Sequence, residues 1–267
     1  MSRRRWAAWL AIAWVTWALA GLIWTPHDPR ATAFLDVVRQ GSSMAHWMGV
    51  DQLGRDVFSR AWRGSGNTVA SAAVATLGTL LFSAALLAMD QRGPRWLGRL
   101  VRGTAAAGLA LPVLFLGMLL LVFLPASPWT LVFACAVGSA PFAFRQVRVL
   151  WIEQAAAPHV LASRALGAGW RHLLVFTLWP NLRPQLGALA RLIFAVSVLE
   201  LSGLSFLGLG GDPDQAELGV LLRQHQAYLF RDPMLVLWPG LLLSGLLLAV
   251  HLVDLPGAGS RVPPTGE

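Results

Sequence analysis

Gly103–Phe144, GTAAAGLALPVLFLGMLLLVFLPASPWTLVFACAVGSAPFAF, runs for 42 residues without one Asp, Glu, Lys, Arg or His. A helix crosses about 30 Å of hydrocarbon with roughly 20 apolar residues, so this stretch is long enough for two crossings. Pro125, Ser127 and Pro128 are placed to turn the chain between them. Outward from this pair, uncharged windows recur at Gly64–Met89 and Pro233–Val253, and a fifth window from about Gln185 to Gly211 carries Arg191 and Glu200. Trp6–Pro26 is the remaining one, behind Arg3, Arg4 and Arg5. It has the flanks of a secretory signal, but its length, its tryptophans and the lack of a small-x-small cleavage site read better as a retained span. The fold class expected is an all-α polytopic membrane protein with six transmembrane helices.

Composition agrees. Only 13% of the 267 residues are charged, against about 25% in a soluble domain. All 21 basic residues are arginine. Without lysine there is no P-loop and no Schiff-base chemistry, so any ATP used must be bound by another chain. The net charge of +8 is spread over the ends of apolar runs and does not gather on one polar face, which argues against nucleic acid. Cys135 is alone in an apolar stretch, and the six histidines show no metal-ligand spacing. No cofactor, metal or catalytic residue is expected.

Arginine bias orients the spans. The side holding the N-terminus carries 13 arginines and the other side 7, with four and eight acidic residues respectively. Both termini are therefore expected in the cytoplasm of a bacterial inner membrane. Trp6, Trp24, Trp96, Trp129, Trp179 and Trp238 fall near span ends as interfacial anchors. The chain divides into residues 1–63 (first span and outer loop), 64–253 (a core of five spans with the cytoplasmic loop 145–184) and a tail, 254–267.

Two connecting segments are distinctive. In the outer loop, Leu53, Val57, Phe58, Ala61 and Trp62 recur at helical spacing with Arg55, Asp56, Ser59, Arg60 and Arg63 between them, the pattern of an amphipathic helix on the outer interface. In the inner loop, Pro158 suits a first helical turn and Gly167 a left-handed stop. Leu161, Ala162, Ala165 and Leu166 make a mostly apolar face between them. A two-turn helix is marginal alone, so it either lies on the membrane or docks on something. A second helical stretch, Trp170–Trp179, is expected to end near Pro180.

These segments carry a resemblance. The inner loop is similar to the EAA coupling loop of the permeases of ATP-binding-cassette importers, in the dipeptide, oligopeptide and nickel group. Ala162, Arg164, Ala165, Leu166, Gly167, Ala168, Pro180 and Asn181 match that pattern, while Leu161 stands where the group has Glu and Ser163 replaces an alanine. Gly49, Asp51, Gln52, Leu53, Gly54, Arg55, Asp56 and Val57 resemble the group's segment before the second span. Leu204–Gly210, LSFLGLG, resembles the end of its fifth.

The resemblance implies a type I importer permease that forms a translocation path for peptides or similar small solutes. It implies coupling to two cytoplasmic ATPases through the 158–167 helix, with Leu161, Ala162, Ser163, Arg164, Ala165, Leu166 and Gly167 in contact. It also implies a second permease subunit, most simply a different chain, an external substrate-binding protein, and surrounding lipid. Of the outer motif, Asp51 reads as a helix cap paired with Arg55, or the motif as part of a docking rim. Glu200, Ser205, Phe206, Gly208 and Gly210 are candidates for the path, although Gly208, Gly210 and Gly211 also suit plain close packing. Glu200 is costly at membrane depth unless it faces water or a partner. Arg191 is about 13.5 Å away along the helix and on another face, so it is expected to snorkel inward.

Two other functions compete. An intramembrane serine hydrolase would use Ser202 with His251, although "ELSG" lacks the first glycine of a G-x-S-G string. An ion-coupled secondary transporter would use Glu200 and predicts an inverted repeat, which the sequence does not show.

Overall fold

The computed structural model describes residues 3–32, 42–210, 212 and 214–253. Gly211 and Asp254, with the tail 254–267, lie outside them. The described residues are helical apart from loops and one isolated bridge, Val50 to Asp56. In chain order the helices are α1 (Arg3–Ala20), α2 (Val57–Arg92), α3 (Arg95–Leu109), α4 (Val113–Phe123) and α5 (Pro128–Ala155). Then follow α6 (Pro158–Ala165), α7 (Trp170–His172), α8 (Trp179–Phe206), α9 (Leu218–His225) and α10 (Met234–Leu252).

Helices α2, α5 and α8 pack on one another at the centre. What lets them do so is visible in α2, whose buried side is Gly64, Ser65, Thr68, Ala72, Ala75, Thr76, Thr79 and Ser83. In lipid there is little hydrophobic gain in pairing helices, so small residues that permit close approach carry the packing. The hydroxyls are satisfied within the helix: Ser65 donates to Ala61 O at 2.9 Å and Thr76 to Ala72 O at 2.7 Å. Thr79 donates to Ala75 O and also reaches Ala136 O of α5 at 3.2 Å. Val69, Leu131, Cys135, Val198, Leu201, Leu204 and Leu246 complete the core.

Four described helices are long and apolar enough to cross a membrane, and α3 with α4 make a fifth if they count as one bent span. The apolar part of the first helix is Trp9–Ala20, shorter than that. Helix α5 starts at a capping box between Ser127 and Thr130, so the expected turn near Pro125–Pro128 is present.

Two local expectations are corrected. The third span, the first of the two expected within Gly103–Phe144, is not one straight helix: α3 and α4 meet at 105°, with Pro112 at the N-cap of α4. Proline removes a donor and biases the residue before it away from helix, so the chain breaks there. The stretch after Trp170 does not stop at Pro180. It passes through a π-helical stretch, Leu173–Leu178, in which Trp179 N–H donates to Leu174 O, and Trp170–Phe206 continues as one 37-residue helical segment. The wider π register accommodates a residue without an N–H. The six tryptophans near span ends are exposed except Trp238, which is half-buried.

Candidate functional site

The outer motif is a buried polar knot and not a surface helix. Asp51 does not cap α2; that role belongs to Asp56, whose carboxylate accepts from Ser59 N at 2.8 Å. Residues 51–56 instead form a tight turn in which Asp51 Oδ1 accepts from Leu53 N at 2.8 Å and Arg55 N at 2.9 Å. Asp51 Oδ2 accepts from Arg55 Nε at 2.8 Å, so the expected pairing holds, though outside a helix. Gly54, at φ +72°, closes the turn by donating its N–H to Asp51 O at 3.2 Å. Gln52 Oε1 is enclosed without a hydrogen-bond partner among the described residues.

Arg55 and Arg60, read as part of a solvated face, are 2% and 0% exposed. Both donate to Gln224 Oε1 of α9, at 3.3 and 3.0 Å, and Arg60 also donates to Pro29 O at 3.0 Å. Helical periodicity cannot distinguish a solvent face from one that meets a partner more than 160 residues away. Gln224 and His225 were therefore missed.

The knot fixes charge. Burial opposes ionisation of Asp51, but His225, the N–H groups of Arg55 and Leu53 and the Arg55 guanidinium outweigh it and hold the carboxyl at about 2, below its usual 3.8. A depressed carboxyl contributes stability above its unfolded value, and that stability is lost as pH falls through the folded one. Over this window the contribution is about 2 kcal/mol. Thermal unfolding in detergent should therefore weaken between pH 5 and pH 2, and Asp51→Asn should flatten that part of the profile. An unchanged profile in the variant would place the acid sensitivity elsewhere.

Beside the knot, segment 216–219 is inlaid between α2 and α8. Asn67 Nδ2 donates to Ala216 O at 2.6 Å, and Leu218 N donates to Thr68 Oγ1 at 3.2 Å. Glu217 accepts from Ser205 Oγ at 2.7 Å.

Of the path candidates, Ser205 is thus buried against this inlay, and Glu200 is 5% exposed and accepts from Ser139 Oγ of α5 at 2.8 Å. Within this chain Glu200 faces a partner helix and not water. Phe206 is exposed; Gly208, at φ +92°, reverses the chain after α8; Gly210 lies against Ser205. Arg191 is half-buried with Nη1 enclosed and unbonded, beside an apolar groove of about 350 Å³ between α1, α8 and α10, so it does not extend freely to the surface. Ser202 Oγ has no hydrogen-bond partner among the described residues and His251 is exposed, which removes the nucleophile and base pairing a hydrolase needs.

The inner loop matches its reading closely. Helix α6 begins with Pro158 in its first turn and ends in a left-handed cap at Gly167, φ +81°. Gly167 N donates to Arg164 O at 3.0 Å and Ala168 N to Ser163 O at 3.1 Å, the paired bonds of a Schellman motif. Val160, which the sequence reading passed over, is fully buried against Leu173, Leu178 and Leu182 and anchors the helix. Asn181 donates to His159 Nε2 at 3.3 Å, so the Pro180–Asn181 pair sits beside the same helix. Leu161 and Leu166 are 52% and 89% exposed, with Ala162, Arg164 and Ala165 also open and Ser163 partly so. A groove of about 780 Å³ lined by Arg92, Trp151, Arg164 and Trp170 runs alongside.

Comparison with known proteins gives this arrangement a family. Residues 81–254 match the model of the binding-protein-dependent transport system inner membrane component. A nickel transport system permease protein, NikC, of Escherichia coli is 31% identical over 263 residues, covering 93% of this chain and 91% of its own. A putative peptide permease protein of Brucella ovis is 30% identical over 241 residues, covering 90% and 78%. A dipeptide transport system permease protein, DppC, of Alkalihalophilus pseudofirmus is 28% identical and covers 80% and 70%. In fold, the chain resembles a chain of the MetNI methionine ABC transporter in an inward facing conformation, with a TM-score of 0.56, 21% identity and coverage of 72% and 95%. The chain belongs to the binding-protein-dependent transport system inner membrane components, as a multi-pass permease subunit and not an enzyme.

Proposed function

We propose that this permease is driven by ATP hydrolysed on separate subunits, and that α6 is the element they grip. The observation that carries this is the pairing of a firmly terminated, singly anchored two-turn helix with two exposed leucines. Val160 and the Schellman turn hold the helix in shape, while Leu161 and Leu166 are left for a partner. Burying such a side chain contributes about 1.5–3 kcal/mol, so two leucines supply substantial docking energy without the acidic residue that Leu161 replaces. Two ATPases, a second and different permease chain, and an external binding protein complete the assembly in this reading.

The arginine bias supports cytoplasmic termini, with α6 inside and the Asp51–Arg55 knot outside. It also supports six crossings, with α1 as the first and the bent α3–α4 pair as the third. On that basis residues 1–63, 64–253 and 254–267 are the entry span with its outer loop, the permease core and the tail. Phe206, Gly208 and Gly210, at and just beyond the end of α8, border the path when the second permease is in place, with Glu200 and Ser205 buried behind them. The solute is a peptide or another small molecule of the kind its relatives carry, nickel and glutathione included.

Paired substitution of Leu161→Asp and Leu166→Asp tests the docking. Both positions are exposed, so the chain should insert and fold. Co-purification of the ATPase should fall at least tenfold, as the loss of about 1.4 kcal/mol or more requires, and transport with it. Full retention of the ATPase by the double variant overturns the reading.

A further inference from the structure

The six histidines show no metal spacing along the chain, but the fold brings two of them to one acidic residue. His27, His46 and Asp56 each offer one donor atom, and the three donors lie within 4.8 Å of one another. All three are held from several directions. The His27 backbone N–H donates to Ser59 Oγ at 3.1 Å and its carbonyl accepts from Thr25 Oγ1 at 2.8 Å. A reciprocal turn with Ser43 fixes His46: His46 N donates to Ser43 Oγ at 3.0 Å, and Ser43 N to His46 O at 2.8 Å. Asp56 is locked as the cap of α2. The imidazoles stand 5.1 Å apart with 40° between their planes, and His46 Nδ1 is 2.9 Å from Asp56 Oδ1.

From this geometry we infer that His27, His46 and Asp56 form a binding site for one divalent transition-metal ion, of the Zn²⁺ or Ni²⁺ class, that clamps the outer loop to the first turn of α2. Two imidazoles with one carboxylate are a donor set for borderline cations and not for Ca²⁺ or Mg²⁺, which take oxygen. Ligand bonds of about 2.0–2.2 Å place tetrahedral donors about 3.4 Å apart, so binding draws the outermost donors together by at most about 1.4 Å and parts His46 Nδ1 from Asp56 Oδ1 by about 0.5 Å. The ion takes the place of the hydrogen between His46 Nδ1 and Asp56 Oδ1, and the neutral imidazole then carries its ring proton on Nε2. Asp56 and His46 are buried while His27 is half-buried, which leaves entry from the His27 side and a position for water as fourth ligand. The site is independent of the solute carried and of the docking at α6.

Titration of the tag-free full-length chain, stripped of metal and held in detergent, with ZnCl₂ and NiCl₂ separately tests this site. Saturable binding of one ion per chain is expected, with a rise in the melting temperature and no response to Mg²⁺. His27→Gln should weaken binding at least tenfold and abolish the rise in melting temperature that each metal gives over the metal-free form of the same variant. His46→Gln should also lose binding, and His251→Gln should retain it. Absence of saturable binding by the unaltered chain, or undiminished affinity in His27→Gln and His46→Gln, overturns the inference.

Discussion

Replacing Arg55 with methionine should cost the folded chain about 3–5 kcal/mol, the usual result of removing one partner from a buried ion pair. The guanidinium is 2% exposed and spans three groups: Asp51 Oδ2 at 2.8 Å, Gln224 Oε1 at 3.3 Å and Asp214 Oδ1 at 3.5 Å. Methionine fills much of the space but leaves Asp51 charged and buried with one fewer donor. Arg55→Lys keeps the charge and loses the planar fork that reaches Asp51 and Gln224 together, so it should fall between the two. Resistance of the purified chain to thermal or SDS-driven unfolding measures this. A loss below about 1 kcal/mol would mean the pair is no better than an exposed one.

The second large effect is expected at Gly219. A Cβ there would collide with Ser202 O and lie 2.7 Å from Ser202 Cα, both backbone atoms of α8 that cannot swing aside. Gly219→Val must therefore push α9 off α8, at a cost of about 3 kcal/mol or more. Because α9 also carries Gln224, the displacement should disturb the outer knot, visible as faster proteolysis within 212–225. Gly103→Ala, on α3 with open space around it, is the control and should be neutral or stabilising by about 0.5–1 kcal/mol. Equal stability of the two variants would show that α9 is not seated on α8.

What the sequence made legible was whatever rests on neighbours along the chain. Apolar windows found the long helices, matching α10 at both ends while α2, α5 and the helix through α8 run beyond theirs into charged residues, and Pro158 with Gly167 marked both ends of α6. Long-range contacts were hidden. Residues 51–63 have helical spacing, and only the arrival of Gln224 turns Arg55 and Arg60 inward. His27 and His46 lie 19 residues apart in the sequence, so no motif spacing announced their meeting with Asp56. Val160 was concealed for a different reason: in a helix where nearly every side chain is small or apolar, periodicity does not say which one faces the protein. Arg102 and Arg148, counted in the sequence only toward topology, both donate to Asp90 and join the ends of α2, α3 and α5.

The uninterrupted helical segment Trp170–Phe206 has a mechanical consequence. At 1.5 Å per residue, 37 residues make a rod about 55 Å long. One end is packed against Val160, and the other carries Ser202 and Ser205, on which the 216–219 inlay rests. Tilting as one body by about 5°, a segment of that length sweeps its far end by about 5 Å, and Leu173–Leu178 and Pro184 are the places where it bends instead. Displacement of α6 by a partner would thus reach the far end of the bundle along one continuous helical segment.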